Sequence, residues 1–220
     1  ENANYNVHIG SNIISMLPGI ISDIRKPSKV VVLTNRVLAE KYGDPVVQIL
    51  KDYGLQAESI VIRAGESNKN LGTISRIYET MAELQMDRSS AIVAVGGGVV
   101  CDIAGFIGAT YMRGIDVYHI PTTLVAQVDA SIGGKTGVDL PQGKNLVGAF
   151  YQPKAVIADV SVLRSLPSRD IRCGLAEVVK HGLIKDEAYF KYVRSRASHL
   201  NGRNEEEMQR IVRRSVEIKA

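Results

Sequence analysis

The sequence predicts an α/β fold: a Rossmann-like, doubly wound, mainly parallel sheet, followed by the start of an all-helical second domain. Three observations predict it. Short β-branched runs alternate with amphipathic helical stretches, as strands joined by helical crossovers do. The runs at 30–33 and 91–95 are apolar throughout, as strands covered on both faces are. Glycine-rich and polar strings fall just after these runs, where ligands of parallel sheets bind.

Each element follows in order. Residues 4–9 alternate weakly and read as an edge strand. The run at 30–33 ends at Thr34-Asn35, and a helix is expected over 37–53, closed by Gly54. Ser59-Ile60-Val61-Ile62 is the next strand. Ile74, Ile77, Tyr78, Met81 and Leu84 then recur at helical spacing. The strand at 91–95 runs into Gly96-Gly97-Gly98, and a helix follows. A strand over 117–120 ends at Pro121, and 155–158 reads as the last.

From about Val162 the pattern is helical only, with helices expected over 175–184 and 187–193. Asn204 and Glu207 resemble a capping box that opens a further helix. Met208, Ile211, Val212 and Ile218 share one face of it, and no stop signal precedes Ala220. Further helices are therefore expected to cover that face, and Glu1 in place of Met suggests a trimmed start. A nucleotide-binding domain is expected at 1–160 and the first helices of a second domain at 161–220.

Composition narrows the function. Net charge is +4, from 27 basic and 23 acidic residues, too weak a field to imply nucleic acid. Aromatics make up 5% and Trp is absent, which disfavours a base-stacking platform. A mild basic excess suits small phosphorylated anions, and an ordinary solvated surface explains it as well. Cys101 and Cys173, both in apolar glycine-containing stretches, have no CxxC spacing, so reduced thiols and a cytoplasmic location are expected. No apolar run reaches membrane-spanning length.

Four strings carry candidate chemistry. Glycines 96–98 after a strand let a pyrophosphate approach the next helix N-terminus, with Asp102 expected in its first turn. The spacing is not GxGxxG, so a tight structural turn remains an equal reading. Glu66 could accept from ribose hydroxyls and Lys69 could meet a phosphate, although a surface pair explains both. The stretch 129–137 keeps its backbone open around Asp129 and Lys135, and Gly143-Lys144-Asn145 follows. It is not a Walker loop, because Ala130 stands where the first glycine belongs. Three polar hooks in a glycine-rich loop suit a polyhydroxylated anion. Glu177, Lys180 and His181 share one helix face, which allows zinc, although the spacing alone favours an ordinary ion pair with a nearby histidine.

Taken together and in order, these strings resemble the 3-dehydroquinate synthases of the sugar-phosphate cyclase family. The matching stretches are Gly65-Glu66, Gly96 to Val100 with Asp102, Tyr111 to Gly114, Pro121-Thr122-Thr123-Leu124 and Gln127-Val128-Asp129. They continue through Gly133 to Thr136, Gly143-Lys144-Asn145, Gly148 to Pro153, Leu166-Pro167 and Gly174 to Glu177. The resemblance implies conversion of 3-deoxy-arabino-heptulosonate 7-phosphate to 3-dehydroquinate and phosphate, the second step of the shikimate pathway. NAD would oxidise a ring hydroxyl transiently and be restored within each turnover. Zinc, or another divalent metal such as cobalt, would act as Lewis acid.

Position by position, the resemblance implies NAD contacts at Asn35, Glu66, Lys69, Gly97, Gly98, Val99, Asp102, Thr122 and Thr123. Lys135 and Lys144 match cofactor or substrate contacts, and the turn Leu163-Arg164-Ser165 matches a nucleotide-contacting turn. Asp129, Asn145 and Lys180 match substrate positions. Arg113 matches a residue reaching the substrate phosphate across a homodimer interface. Glu177 matches a metal ligand, while His181 stands where the family varies and is set aside. The family's two histidine ligands would lie beyond Ala220, so the 220-residue chain alone is expected to be inactive and to hold zinc poorly. Cys101 replaces a usual Gly, and Arg164-Ser165 a common Lys-Thr.

Neither nucleic acid nor a membrane is an expected partner. A sister cyclase, of the 2-deoxy-scyllo-inosose or valiolone synthase type, would share most of these motifs, as would a non-catalytic NAD-binding fragment. Polyol and iron-type alcohol dehydrogenases share the glycine turn and lack the strings at 133–136 and 143–145.

Overall fold

The computed structural model describes residues 4–202 and 204–220. Its strands are β1 (Asn6–Gly10), β2 (Val30–Asn35), β3 (Ala57–Ile62), β4 (Ala91–Gly96), β5 (Asp116–Pro121), β6 (Lys135–Leu140), β7 (Gly143–Phe150) and β8 (Ala155–Asp159). The helices are α1 (Leu17–Ile24), α2 (Asp44–Asp52), α3 (Leu71–Glu83), α4 (Gly98–Thr110), α5 (Ser168–Lys185), α6 (Glu187–Ser195) and α7 (Glu205–Lys219).

Six strands form one sheet in the order β1-β8-β5-β4-β2-β3, and every pairing in it is parallel. The apolar runs behave as the physics of two-sided burial requires. β4 and β8 are buried at every position, whereas the edge strand β3 alternates. One face packs on α3 and α4 through Ile74, Ile77, Ile103 and Ile107. The opposite face packs on α1 and α2 through Leu17, Ile21, Val46 and Leu50. A third cluster joins Val156 and Ala158 of β8 to α5, α6 and α7 through Val178, Tyr189, Met208 and Ile211.

β1 is tied in at a distance. It pairs with β8, and the carboxylate of Asp159 accepts from the backbone N–H groups of Asn12, Ile13 and Ile14. Asp159 is 1% exposed, and its remaining lone pairs take the Ser161 N–H and hydroxyl.

The helical expectations hold with shifted bounds. The helix expected over 37–53 is a π-turn (Ala39–Gly43) running into α2. α5 begins at Ser168, well before residue 175, because Arg169, Asp170 and Arg172 mask its apolar face in the sequence. α7 starts at Asn204, whose side chain accepts from the Glu207 N–H. Only that half of the capping box forms, because the Glu207 carboxylate is taken by the Tyr192 hydroxyl and Arg196. Asp102 lies on the fifth residue of α4, just past the first turn. Cys101 is buried, and Cys173, next to Arg172, is exposed. Among the described residues no helix is long and apolar enough to cross a membrane.

The largest difference lies at 133–150. The expected open glycine loop is an antiparallel hairpin, β6 against β7, with Thr136 opposite Ala149 and Gly137 opposite Gly148. Gly137, Gly143 and Gly148 within the strands, and the polar residues between them, blur the side-chain periodicity by which strands are read.

His119 gives the sheet a pH dependence. It is buried on β5, its Nδ1 has no hydrogen-bond partner, and burial pushes its pKa down to about 4. Below its ordinary value of 6.5 the unfolded chain binds a proton that the folded chain refuses. Stability should therefore fall by roughly 3 kcal/mol as pH drops from 6.5 to about 4. Urea unfolding of wild type and His119→Leu across that window checks this. The difference between the two should change by that amount, and a constant difference would refute the assignment.

Candidate functional site

The site is built where β2, β4 and β5 end. β4 runs out at Gly96, and Gly97 caps α4 with extended backbone. A Cβ on Gly97 would sit 3.1 Å from Thr123, and one on Gly98 would sit 3.2 Å from Ala130. Only glycine leaves this approach to the α4 N-terminus open. A cavity of about 620 Å³ lies there, between the ends of the strands and the turn after β8. Asn35, Gly97, Gly98, Val99, Thr122, Thr123 and Ser165, all among the candidate cofactor residues of the sequence, line it together. The Thr122 hydroxyl is buried and unpartnered, so the wall presents a free polar hook.

A second cavity, of about 510 Å³, adjoins the α4 side. Asp102, Asp129, Lys135 and Asn145, all candidates from the sequence, line it, and Lys219 joins them. Lys135 is aimed by the bend at Gly133 and Gly134, both at positive φ, where an added Cβ on Gly134 would strike Gln152. Asp129 stands in a single π-turn (Ala126–Ala130), a helix defect common at functional sites.

Charged groups here are paired with one another. Lys219 Nζ lies 2.5 Å from Asp129, and Lys180 pairs with Glu177. Lys69 is only 4% exposed and donates to both Asp102 and Asn145. Lys144 reaches Glu66 at 3.0 Å. Burial raises the Asp102 pKa, and the Lys69 ammonium partly offsets the rise. Hydrogen bonding to Glu177 raises the Lys180 pKa.

Asp129, Glu177 and His181 each bring a donor atom within 4.8 Å of the other two. Burial lowers the His181 pKa, and its Nδ1 is buried without a partner, so a neutral imidazole faces two carboxylates. Two carboxylates and an imidazole suit a divalent metal that keeps an open coordination position. The sequence reading set His181 aside, and only the fold places it beside Asp129.

Of the expected residues, Glu66, Lys69, Lys144, Glu177, Lys180, Leu163, Arg164 and Arg113 line neither cavity. Leu163 is fully buried in the helical core. The Arg164 guanidinium is held by Glu205 of α7. Arg113 sits in the turn beyond the far end of α4, at a φ of 69°. Conversely, Lys219 was missed. The signal was a lysine on the buried stripe of α7, following Met208, Val212 and Ser215 at helical spacing. Tyr42 was missed too; its hydroxyl lies 2.8 Å from Ser165 at the first cavity.

A family profile for the N-terminal part of 3-dehydroquinate synthase matches residues 59–173, and one for its C-terminal part matches 174–220. The chain belongs to the 3-dehydroquinate synthase family. A 3-dehydroquinate synthase from Symbiobacterium thermophilum is 44% identical over 98% of this chain and 61% of its own length. The chain thus spans about three-fifths of that relative. Among solved structures, a 2-deoxy-scyllo-inosose synthase complexed with carbaglucose-6-phosphate, NAD+ and Co2+ matches with a TM-score of 0.91 at 26% identity. It covers 99% of this chain and 60% of that one. A 2-epi-5-epi-valiolone synthase from Streptomyces hygroscopicus, with NAD+ and Zn2+ bound, matches at 0.89 and 27%, covering 99% and 61%. The family's fold, a parallel sheet followed by helices, is the one expected from the sequence.

Proposed function

We propose that the chain is the NAD-binding part, residues 1–160, and the first helices of the metal- and substrate-binding part, residues 161–220, of a 3-dehydroquinate synthase. The observation that carries this reading is that α4 serves both cavities within five residues: Gly98 at its N-terminus lines the first, and Asp102 lines the second beside Lys135 and Lys219. The 44% identity to a 3-dehydroquinate synthase favours it over a sister cyclase, for which the solved relatives stand at 26% and 27%.

In this reading Asn35, Gly97, Gly98, Val99, Thr122, Thr123 and Ser165 hold NAD, and the α4 N-terminus faces its pyrophosphate. Asp129, Glu177 and His181 face the metal. When bound, NAD takes and returns a hydride, and the metal supplies Lewis acidity at the carbon oxidised. Lys135, Lys180 and Lys219 neutralise the anionic substrate, which requires Lys180 and Lys219 to leave their carboxylate partners. Asp129 can then accept a proton or a hydrogen bond from a substrate hydroxyl. Arg113 lies too far along α4 to serve its own site, and serves that of a second copy in a homodimer. Activity belongs to the longer protein, not to the 220 residues alone.

The test is calorimetric titration of the full-length protein with NAD, alongside phosphate release from the heptulosonate phosphate. NAD should bind, and Asp102→Ala should weaken it about tenfold or more, the loss expected for one hydrogen bond to a charged group. A folded protein that binds no NAD, or releases no phosphate with NAD and zinc added, would overturn the reading.

A further inference from the structure

Lys69 lies behind the pocket wall, in the segment between β3 and α3. It is the lysine the fold buries most deeply, at 4% exposure. Its ammonium donates to Asp102 and, at 2.5 Å, to the amide oxygen of Asn145. An ammonium has no lone pair, so Asn145 can face it only with its oxygen. The amide nitrogen is thereby turned away from Lys69, and among the described residues it donates to nothing. Asn145 itself lines the second cavity with Asp102, Asp129 and Lys135.

The backbone is pinned to match. Asn145 takes a φ of 56°, a conformation asparagine tolerates well, and its N–H donates to Asp139. The Asp139 N–H in turn donates to the Lys69 carbonyl at 2.8 Å. Both the main chain and the side chain of Lys69 therefore hold the hairpin that carries Asn145.

We infer that Lys69 is a positioning residue that fixes the Asn145 amide as a donor, so that Asn145 recognises an acceptor oxygen on the sugar-phosphate substrate. Polarity, not only proximity, is then selected: the site rewards a lone pair at that point and penalises a donor. This rests on the function proposed above.

Asn145→Asp tests the point. Aspartate keeps the left-handed backbone and an oxygen for Lys69, and replaces the NH2 donor with a charged acceptor oxygen. The substrate KM of the full-length enzyme should rise about thirtyfold, while the NAD dissociation constant stays within about twofold. Lys69→Gln and Lys69→Met form the second arm. Glutamine can still donate to the Asn145 oxygen and methionine cannot, so the substrate KM should rise several-fold more in the methionine variant. Substrate binding by Asn145→Asp equal to wild type would overturn the inference, as would equal KM values for the two Lys69 variants. A wild-type protein with neither NAD binding nor turnover would instead sink the underlying reading, and this inference with it.

Discussion

Glu177→Gln in the full-length protein should lower turnover by about three orders of magnitude, with its fold and its NAD affinity kept. Glutamine matches the shape of glutamate and removes the charge. Glu177 is half-buried on α5, its neighbours in the cluster are Asp129 and His181, and it pairs with Lys180. Removing its charge takes one of the two carboxylates of this cluster from a dication, and leaves the Lys180 ammonium without its partner. A Lewis acid contributes several kcal/mol at the transition state, and about 1.4 kcal/mol is a tenfold rate change. Metal content after dialysis and initial rates of phosphate release check this together. Turnover within tenfold of wild type, at full NAD affinity, would remove Glu177 from the metal site.

The second large effect concerns stability. Asp159→Ala should cost about 2–4 kcal/mol, because it strips the acceptor from several part-buried N–H groups at once. Those of Asn12, Ile13 and Ile14 lie 2.8 to 3.2 Å from the carboxylate, and Ser161 adds two more bonds. For a chain of 220 residues that corresponds to a fall in Tm of about 10 °C. Asp159→Asn should recover little, because its NH2 would face donors that need an acceptor. Urea and thermal unfolding of both variants provide the measure. A loss under about 1 kcal/mol for the alanine variant would show that water replaces the carboxylate.

Where local pattern suffices, the sequence was readable. Apolar runs forecast β2, β4, β5 and β8, because a strand buried on both faces needs no partner to be recognised. Glycines at strand ends forecast the first cavity, because close backbone approach is a local property. The rest depends on distance. Lys219 meets Asp129 across 90 positions, and Asp129 meets Glu177 and His181 only once α5 folds back. No spacing rule reaches so far. The hairpin failed for another reason: its glycines permit close pairing and, with the polar residues between them, blur the alternation that announces a strand. Lys69 by itself read more readily as a surface residue, and only the fold shows it buried and holding two partners.

The pairing of β1 with β8 bears on how the molecule is made. Asn6 finds its neighbour in Ala155, and the chain at 12–14 finds its carboxylate at 159. On a ribosome adding about 5–20 residues each second, the first strand would wait some ten to thirty seconds for its partner. Through that interval β2, β3, β4 and β5 can already assemble, since their contacts close earlier. The flank of β5 that β8 will occupy stays bare meanwhile. A nascent chain grown only to about residue 150 thus carries an unpaired parallel edge on β5 and an unpaired β1, the combination that invites pairing with another chain. Protection of that edge during synthesis is therefore a matter of timing, and the emergence of residues 155–159 ends the exposure.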